Sequence, residues 1–450
     1  MNVKHLPRTI IALTASLCFG SLAGAAHAAG LSALIQDAST NYPGVLEAQA
    51  QHEQAQMQTE KTKSGHWPVL GATTTKKVTG SDPTSSSFTG LTARVNVFSA
   101  GAISAQVERD KYREGYYSNK YDEMRENTAT SVAELYLQAL RARELLDVEQ
   151  SNLARHQKII GDLEVIVKND QGRLYELVQA RSRALQVRMR MVQYEKDMRL
   201  ALSRLSRYTA AKPTLGDPFG KNWREFVDMQ KMKANNPSIQ AQVNEQKAVT
   251  ADLDNLKKSR WPSVDLVGKW GKTQGYPGTT HSINVVLNWN FLDRGAYYSQ
   301  QTAGKQLIAA QRKVDALERE FEERSNTAEA NMSQSELQAL AAQQQISSSE
   351  KVVELYELQF KIGRRSLLDV LNAYQELASV QATKATANND YRLAVLTYLT
   401  ANSALVHWAQ GRQPFSPIST DIEQPAGITA VYKQPATTST SGNKKQQVKR

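Results

Sequence analysis

The residue types that could do chemistry are few in this chain, and their spacing does not assemble a catalytic centre. Beyond residue 28 there are five histidines without the spacing of metal ligands, namely His52, His66, His156, His281 and His407. The chain has no GxSxG, P-loop or HExxH motif. The sequence therefore predicts a protein that is not an enzyme and uses no cofactor or metal. Because no nucleotide-binding motif is present, any energy that its function needs must come from a partner.

Two charged segments, each starting at a glycine, carry the remaining chemistry. The longer one reads Gly-Arg-Arg-Ser-Leu-Leu-Asp-Val-Leu-Asn-Ala over residues 363–373. A poorer copy reads Gly-Arg-Leu-Tyr-Glu-Leu-Val-Gln-Ala over residues 172–180. Taken alone, Asp369 is an acid at a helix start, where the helix dipole favours a negative charge. The local residues do not decide between this structural role and a functional one.

Long helices must position these segments. No proline occurs in residues 101–169, and apolar residues such as Val132, Leu135 and Ala139 recur every three or four positions. This period is typical of an amphipathic helix. Residues 295–362 repeat the pattern, and second helices are predicted at about residues 173–209 and 366–408. Each pair is expected to form an antiparallel hairpin whose tip lies at the glycine of a charged segment.

Short strands are predicted between the helices, at about residues 69–79, 88–98, 263–273 and 282–292. In the last of these, Ile283, Val285 and Leu287 alternate with mostly polar residues, which is the period of a strand with one apolar face. A soluble sheet packed on helices is one interpretation. A membrane β-barrel is the favoured one, because the strands have about ten residues and the helices can bury their own stripes.

An internal duplication relates the two halves of the chain at an offset of 194 residues. Residues 41–43 (Asn-Tyr-Pro) recur as residues 235–237 (Asn-Asn-Pro), and Trp-Pro recurs at residues 67–68 and 261–262. A period of half the protein indicates a duplicated domain rather than a solenoid. We predict a first structural repeat at residues 29–210 and a second one at residues 211–410, each with two strands and a long helical hairpin.

The two ends of the chain differ from its middle. Residues 1–28 combine Lys4 and Arg8 with an apolar run and a small-residue cleavage site, which predicts a secretory signal peptide. The only cysteine, Cys18, lies within it and lacks the neighbours of a lipid-anchor site. Residues 411–450 have a composition typical of disorder, so a disordered tail is expected. The net charge of +11 indicates scattered surface lysines and arginines rather than nucleic-acid binding, since a secreted chain rarely meets nucleic acid.

Four strands are too few for a membrane barrel, since about eight is the smallest number. Open strand edges in lipid cost several kcal/mol for each backbone group, so the pattern predicts an oligomer. Three chains would supply twelve strands for the barrel and twelve helical segments below it. Trp67, Trp261 and Trp289 lie near predicted strand ends, where a membrane aromatic girdle belongs, with core packing as the alternative for each.

Together these features resemble the TolC family, the trimeric outer-membrane channel-tunnels of Gram-negative bacteria. The resemblance covers about residues 31–408, and residues 363–373 match the family pattern of Gly, a few residues and Asp-Val-Leu-x-Ala. The first-repeat copy departs from it, because its glycine lies four rather than six residues before the acid. The resemblance implies a mainly α fold with a twelve-stranded membrane β-barrel and an α-helical periplasmic tunnel that tapers to a closed end.

The resemblance also implies roles for residues at the tips. Asp369 and Asn372 take two pore-ring positions, of which the second is often acidic in the family. Arg365 takes a gate-bracing position and Glu176 a matching acid, whereas Phe360 replaces a tyrosine that can donate a hydrogen bond. The tip residues expected to contact a periplasmic adaptor protein are Gly172, Arg173, Gly363 and Arg364.

Three functions stay open at this point. The first is the passive exit duct of a type I secretion system, working with a periplasmic adaptor and an inner-membrane ABC transporter to export a large protein such as an adhesin. The second is the same duct in a drug or metal efflux pump, where the inner-membrane partner is proton-driven. The third is a structural periplasmic coiled-coil protein without a pore, which the alternating strands disfavour. The missing lipid-anchor cysteine and a resemblance to adhesin-export channels favour the first.

Overall fold

The computed structural model describes residues 29–76, 87–219 and 229–411. The predicted signal peptide, the turn after the first strand and all but the first residue of the predicted tail lie outside these ranges. None of the helices in the described ranges is both long enough and apolar enough to cross a membrane.

Helices dominate the described residues, and two of them are much longer than the rest. α3 and α7 each have 68 residues, which corresponds to about 100 Å at a rise of about 1.5 Å per residue. Their bounds agree with the two proline-free spans. The helices are α1 (Leu31–Asn41), α2 (Pro43–Lys63), α3 (Ala102–Asn169), α4 (Leu174–Leu205), α5 (Met229–Asn235), α6 (Pro237–Lys258), α7 (Arg294–Lys361), α8 (Leu367–Ala401) and α9 (Leu405–Ala409).

The last long helix is shorter than the sequence predicts. A continuous helix over residues 366–408 is wrong, because α8 ends at Ala401 and α9 begins four residues later. Ser403 lies between them in the left-handed region, with a φ of 51°. The Asn402 side chain donates to the Tyr398 carbonyl at 2.8 Å, and Glu126 of α3 accepts the Val406 N–H at 3.1 Å. Side-chain hydrogen bonds thus stabilise the end of α8 and the start of α9.

α3 and α7 span two layers of helices. On the sheet side the neighbouring helices follow the order α2, α3, α6, α7, and on the tip side the order is α4, α3, α8, α7. The layers meet at two junctions. At the first, where α4 ends near the start of α2, the rings of Tyr42 and Tyr208 lie 4.9 Å apart. At the second, where α8 ends near the start of α6, Asn236 Nδ2 donates to Ser403 Oγ at 2.9 Å.

The four described strands form one antiparallel sheet in the order β1-β2-β3-β4. They are β1 (Val69–Thr75), β2 (Phe88–Phe98), β3 (Ser263–Thr273) and β4 (Thr280–Asn288). Their register places Leu91 opposite Trp270, and Val264 opposite Leu287. One face of the sheet is therefore apolar and exposed, and its exposed side chains include Leu91, Leu266, Trp270, Ile283, Val285 and Leu287.

The opposite face of the sheet is mostly polar. Asp265 accepts hydrogen bonds from Arg94 at 2.5 Å, from Asn96 at 3.0 Å and from Asn288 at 3.3 Å.

β4 ends at Asn288, four residues before its predicted end. The reason is that Asn288 pairs with Ser263, and the preceding residue is Pro262, which has no N–H for a further ladder bond.

Candidate gate at the helical tips

The first tip joins α3 to α4 and is held by side-chain hydrogen bonds. Asp170 Oδ1 accepts the Gly172 N–H at 3.0 Å. The Arg173 guanidinium donates twice to Glu176 Oε2, at 3.1 and 2.7 Å. This hydrogen-bonded carboxylate raises the pKa of Arg173 above its usual value. Tyr175 OH donates to the other oxygen of Glu176 at 3.2 Å, so both oxygens of this acid are hydrogen-bonded within the first tip.

The second tip joins α7 to α8 and uses backbone conformation instead. Gly363 has a φ of 73°, a left-handed conformation that glycine adopts without steric cost. Ser366 then caps α8, with its Oγ accepting the Asp369 N–H at 3.2 Å. The guanidinium of Arg365 lies 3.9 Å from the ring centroid of Tyr356, and its Nη1 lies 3.9 Å from Asp369 Oδ2.

A buried apolar cluster joins the two hairpins just above the tips. Phe360 belongs to it, and the Arg173 guanidinium lies 5.5 Å from its ring centroid, so the two tips touch through a cation–π contact. The sequence analysis missed this contact, because the partners are far apart in the chain. The cluster comprises Ile159, Leu163, Leu177, Ala180, Val353, Phe360, Leu367, Val370, Leu371, Ala373, Tyr374 and Leu377.

A polar group on the rim of this cluster adds further links. Tyr374 OH donates to Glu357 Oε1 at 2.8 Å, and Lys158 of α3 donates to the other oxygen of Glu357 at 3.1 Å. Burial of the phenol, followed by its bond to a carboxylate, raises the pKa of Tyr374. The phenol therefore stays a donor, and the network ties α3, α7 and α8 together.

The predicted gate residues are brought to one end of the molecule, but not all into one contact. Within the described chain, Arg365 lies by Asp369 while Glu176 bonds Arg173. Arg365 and Glu176 therefore do not pair with each other inside one protomer. The four predicted adaptor-contact residues all lie at the tips, with Gly172, Gly363 and Arg364 exposed and Arg173 half-buried.

The predicted pore residues share one face of α8. Asp369 is half-buried in the first turn, and Asn372 is exposed one turn further along. Glu376, which the sequence analysis did not single out, is also exposed on this face. Its spacing of seven residues from Asp369, about two helical turns, is the signal that could have found it. The face thus presents two carboxylates with an amide between them.

The three predicted girdle tryptophans lie where helices meet the sheet. Trp67, Trp261 and Trp289 are 73%, 66% and 53% exposed in the protomer, so none packs in the protomer core. The indole of Trp289 donates to the Arg260 carbonyl at 3.2 Å. Elsewhere in the described ranges, no group of three or more His, Cys, Asp or Glu side chains could hold a metal ion.

Two outer-membrane channels of known structure share this fold of paired helical hairpins and a small sheet. The Campylobacter jejuni CmeC outer membrane channel has a TM-score of 0.74 and 16% identity, over 83% of this chain and 85% of that one. The open state of the Neisseria gonorrhoeae MtrE outer membrane channel has a TM-score of 0.70 and 16% identity, over 84% and 89%. At this identity the likeness concerns the fold.

The sequence comparison then places the chain in a family. The profile described as outer membrane efflux protein matches residues 34–211 and 229–401, and the chain belongs to this family. A relative, the outer membrane protein TolC of Vibrio cholerae serotype O1, is 22% identical over 441 residues, covering 86% of this chain and 94% of the relative.

This membership confirms the resemblance to the TolC family. The protein is an efflux channel of the outer membrane of a Gram-negative bacterium and extends into the periplasm. Channels of this family are not enzymes, form trimers and act in tripartite systems with an adaptor and an inner-membrane pump.

Proposed function

We propose that three copies of this chain form a passive exit duct, with a shared twelve-stranded barrel and a tunnel of twelve helical segments. The observation that carries this proposal is the pair of open edges in the protomer. Among the described strands, β1 and β4 each have one neighbour. An edge left open in lipid would leave backbone N–H and C=O groups without hydrogen-bond partners. β1 of one chain is therefore proposed to pair with β4 of the next.

The tip-side helices support the same arrangement. α4 and α7 lie at the two edges of this layer, and both expose apolar side chains. On α4 these side chains are spaced seven, four and three residues apart, which is the spacing of a coiled-coil seam. Unpartnered stripes of this kind mark interfaces. α4 of one chain is proposed to pack on α7 of the next through Val178, Leu185, Met189 and Val192 on α4, and Leu337, Leu340, Leu355 and Leu358 on α7.

In this trimer the tips would form the closed end of the tunnel. Asp369 and Asn372 are proposed to line the constriction, where a ring of carboxylates favours cations. Arg365 and Glu176 are proposed to brace it between neighbouring chains, since they do not meet within one chain. The exposed Gly363 and the other tip residues are proposed to contact the adaptor, which would open the gate.

Single-channel conductance in planar bilayers tests this gate. Arg365→Ala combined with Glu176→Ala is expected to raise the conductance, because both sides of the brace are removed. The matched control is Arg312→Ala with Asp315→Ala, an exposed ion pair on α7 away from the tip, which should conduct like the parent. A tip double variant that also conducts like the parent would show that these residues do not hold the gate shut.

For the cargo, we propose type I secretion of a large protein such as an adhesin, with an ABC transporter as the inner-membrane partner. This rests on the resemblance to adhesin-export channels. The second candidate is a drug or metal efflux pump, which the description of the matching family as efflux proteins favours. Deleting the chain in its host separates the two. Loss of a large surface protein with unchanged drug and metal tolerance supports secretion, whereas the reverse supports efflux.

A further inference from the structure

A cavity of about 490 Å³ lies at the second layer junction, where α8 ends and α6 begins. Its walls come from α3, α6, α7 and α8. The volume is within the range of about 300–1,000 Å³ that is typical of small-molecule sites. The apolar part of the wall is formed by Ile239, Leu317, Phe321, Ala328 and Leu396.

The polar part of the wall is strongly acidic, although the whole chain is basic. Arg324, the one cation of the lining, is paired with Glu320, and Glu123 is bonded to Lys120 at 2.6 Å. The remaining glutamates have no such partner within the described ranges. The acids of the wall are Glu123, Glu126, Glu134, Glu320 and Glu323.

Glu126 is the unusual member of this wall. The side chain is buried, with the residue 8% exposed. Its Oε1 accepts the Val406 N–H at 3.1 Å. Its Oε2 is also buried but has no hydrogen-bond donor in the described part of the chain. Buried carboxylate oxygens normally find a donor, because losing water without one is costly. The Glu126 carboxylate, which belongs to the cavity wall, therefore has unused capacity to accept a hydrogen bond.

We propose that this cavity binds an organic cation, in which a protonated amine or guanidinium carried on an apolar body donates to the Glu126 carboxylate. The apolar body would lie against Phe321 and Leu396, and Glu323 would add a second negative charge at the mouth. A metal ion fits less well, since no group of three ligands with suitable geometry occurs among the described residues. The site is distant in sequence from the tip gate and is independent of the exported cargo.

Isothermal titration calorimetry on the full-length protein in detergent tests this site. It is done at pH 8, where the Glu126 carboxyl is mostly ionised although burial raises its pKa to about 7. The probe is tryptamine, which carries an ammonium on an indole, and the matched probe is tryptophol, its uncharged hydroxyl counterpart. Tryptamine is expected to bind saturably, with one molecule per chain, and at least about tenfold more tightly than tryptophol, because charge-assisted hydrogen bonds are the strong ones.

Two variants locate the binding and one controls for charge. Glu126→Gln keeps an oxygen for the Val406 N–H and should weaken tryptamine binding about tenfold or more. Glu323→Gln should weaken it severalfold and carries the test if Glu126→Gln fails to assemble. Glu329→Gln removes a charge from α7 outside the wall and should bind like the parent. Equal binding of the two probes, parental affinity in both wall variants or no saturable binding would each overturn the proposal.

Discussion

The two halves of this chain share their long elements and differ where those elements end. α3 and α7 have the same length of 68 residues, whereas the equivalent positions Tyr42 and Asn236 have different tasks. Tyr42 packs against Tyr208 at the first junction, with the two rings tilted. Asn236 caps α6 and bonds Ser403 at the second junction, which holds the acidic cavity. The two halves have thus kept the length of their long helices, whereas the side chains at the layer junctions differ.

The tips repeat this lesson. The first is closed by side-chain bonds of Asp170 and Arg173, the second by a left-handed Gly363 and a serine cap. Both reverse the chain between two long helices, yet only the second presents the half-exposed acid that is proposed for the pore. The similarity of the two halves and the differences at their ends can therefore be tested separately.

The largest expected effect concerns the sheet, where the halves should behave alike. Leu91→Arg in β2 and Leu287→Arg in β4 each place a charge on the proposed lipid face and should cost about 2–4 kcal/mol near the midplane. Asn284→Arg, on the polar face of β4, is the control and should assemble normally. The amount of heat-resistant oligomer in outer membranes measures this. Normal assembly of both leucine variants would show that the face is wrongly assigned.

A smaller effect is expected where the halves differ, at Glu126. Burial raises its pKa to about 7, from an ordinary value of 4.5. The folded state therefore holds its proton longer than the unfolded chain, and stability falls as the pH rises from about 4.5 to about 7. The loss is no more than about 3 kcal/mol, and Glu126→Gln should abolish it.

Denaturation midpoints at pH 5 and pH 8 measure this difference between the parent and the variant. Glu318 lies as far from the start of α7 as Glu126 lies from the start of α3, and it forms a half-exposed pair with Lys233. Glu318→Gln is therefore the control and should change stability by about 1 kcal/mol or less at either pH. If the parent and Glu126→Gln differed equally at both pH values, the buried acid would not titrate in this range.

The smallest expected effect compares the tips. Gly363→Ala forces a side chain into a left-handed conformation, at a cost of about 1–2 kcal/mol. Gly172 has no positive φ, so Gly172→Ala should cost less even though its Cβ would lie 3.1 Å from Asp170 Oδ1. Amide hydrogen exchange followed by mass spectrometry should show faster opening of residues 360–370 only in the first variant. Equal exchange rates in the two variants would show that a left-handed glycine is not what distinguishes the second tip from the first.

Much of the fold could be predicted from local pattern. Proline-free amphipathic runs predicted α3 and α7, and β2 and β3 have the bounds that the sequence predicted. The misses have tertiary causes. β4 stops at Asn288 because its partner strand is preceded by a proline, and α8 stops at Ala401 because a turn at Ser403 is held by neighbouring helices.

The candidate gate was predictable only as a set of positions. The spacing of glycines and charges predicted that Asp369 and Arg365 lie at the tips. The partner of each charge depends on tertiary contacts, which a local sequence pattern does not reveal. Arg173 on Phe360 joins residues of different hairpins. The acidic cavity likewise combines four helices, so its buried Glu126 reads in the sequence as one more helix glutamate.

The central claim is that the open edges of this chain close in a ring of three. Light scattering on the detergent-extracted protein, with the detergent mass subtracted, tests it most directly. The account predicts a protein mass of three chains for material taken from the outer-membrane fraction. A monomer that stays soluble without detergent would contradict the shared barrel and favour a periplasmic coiled-coil protein without a pore.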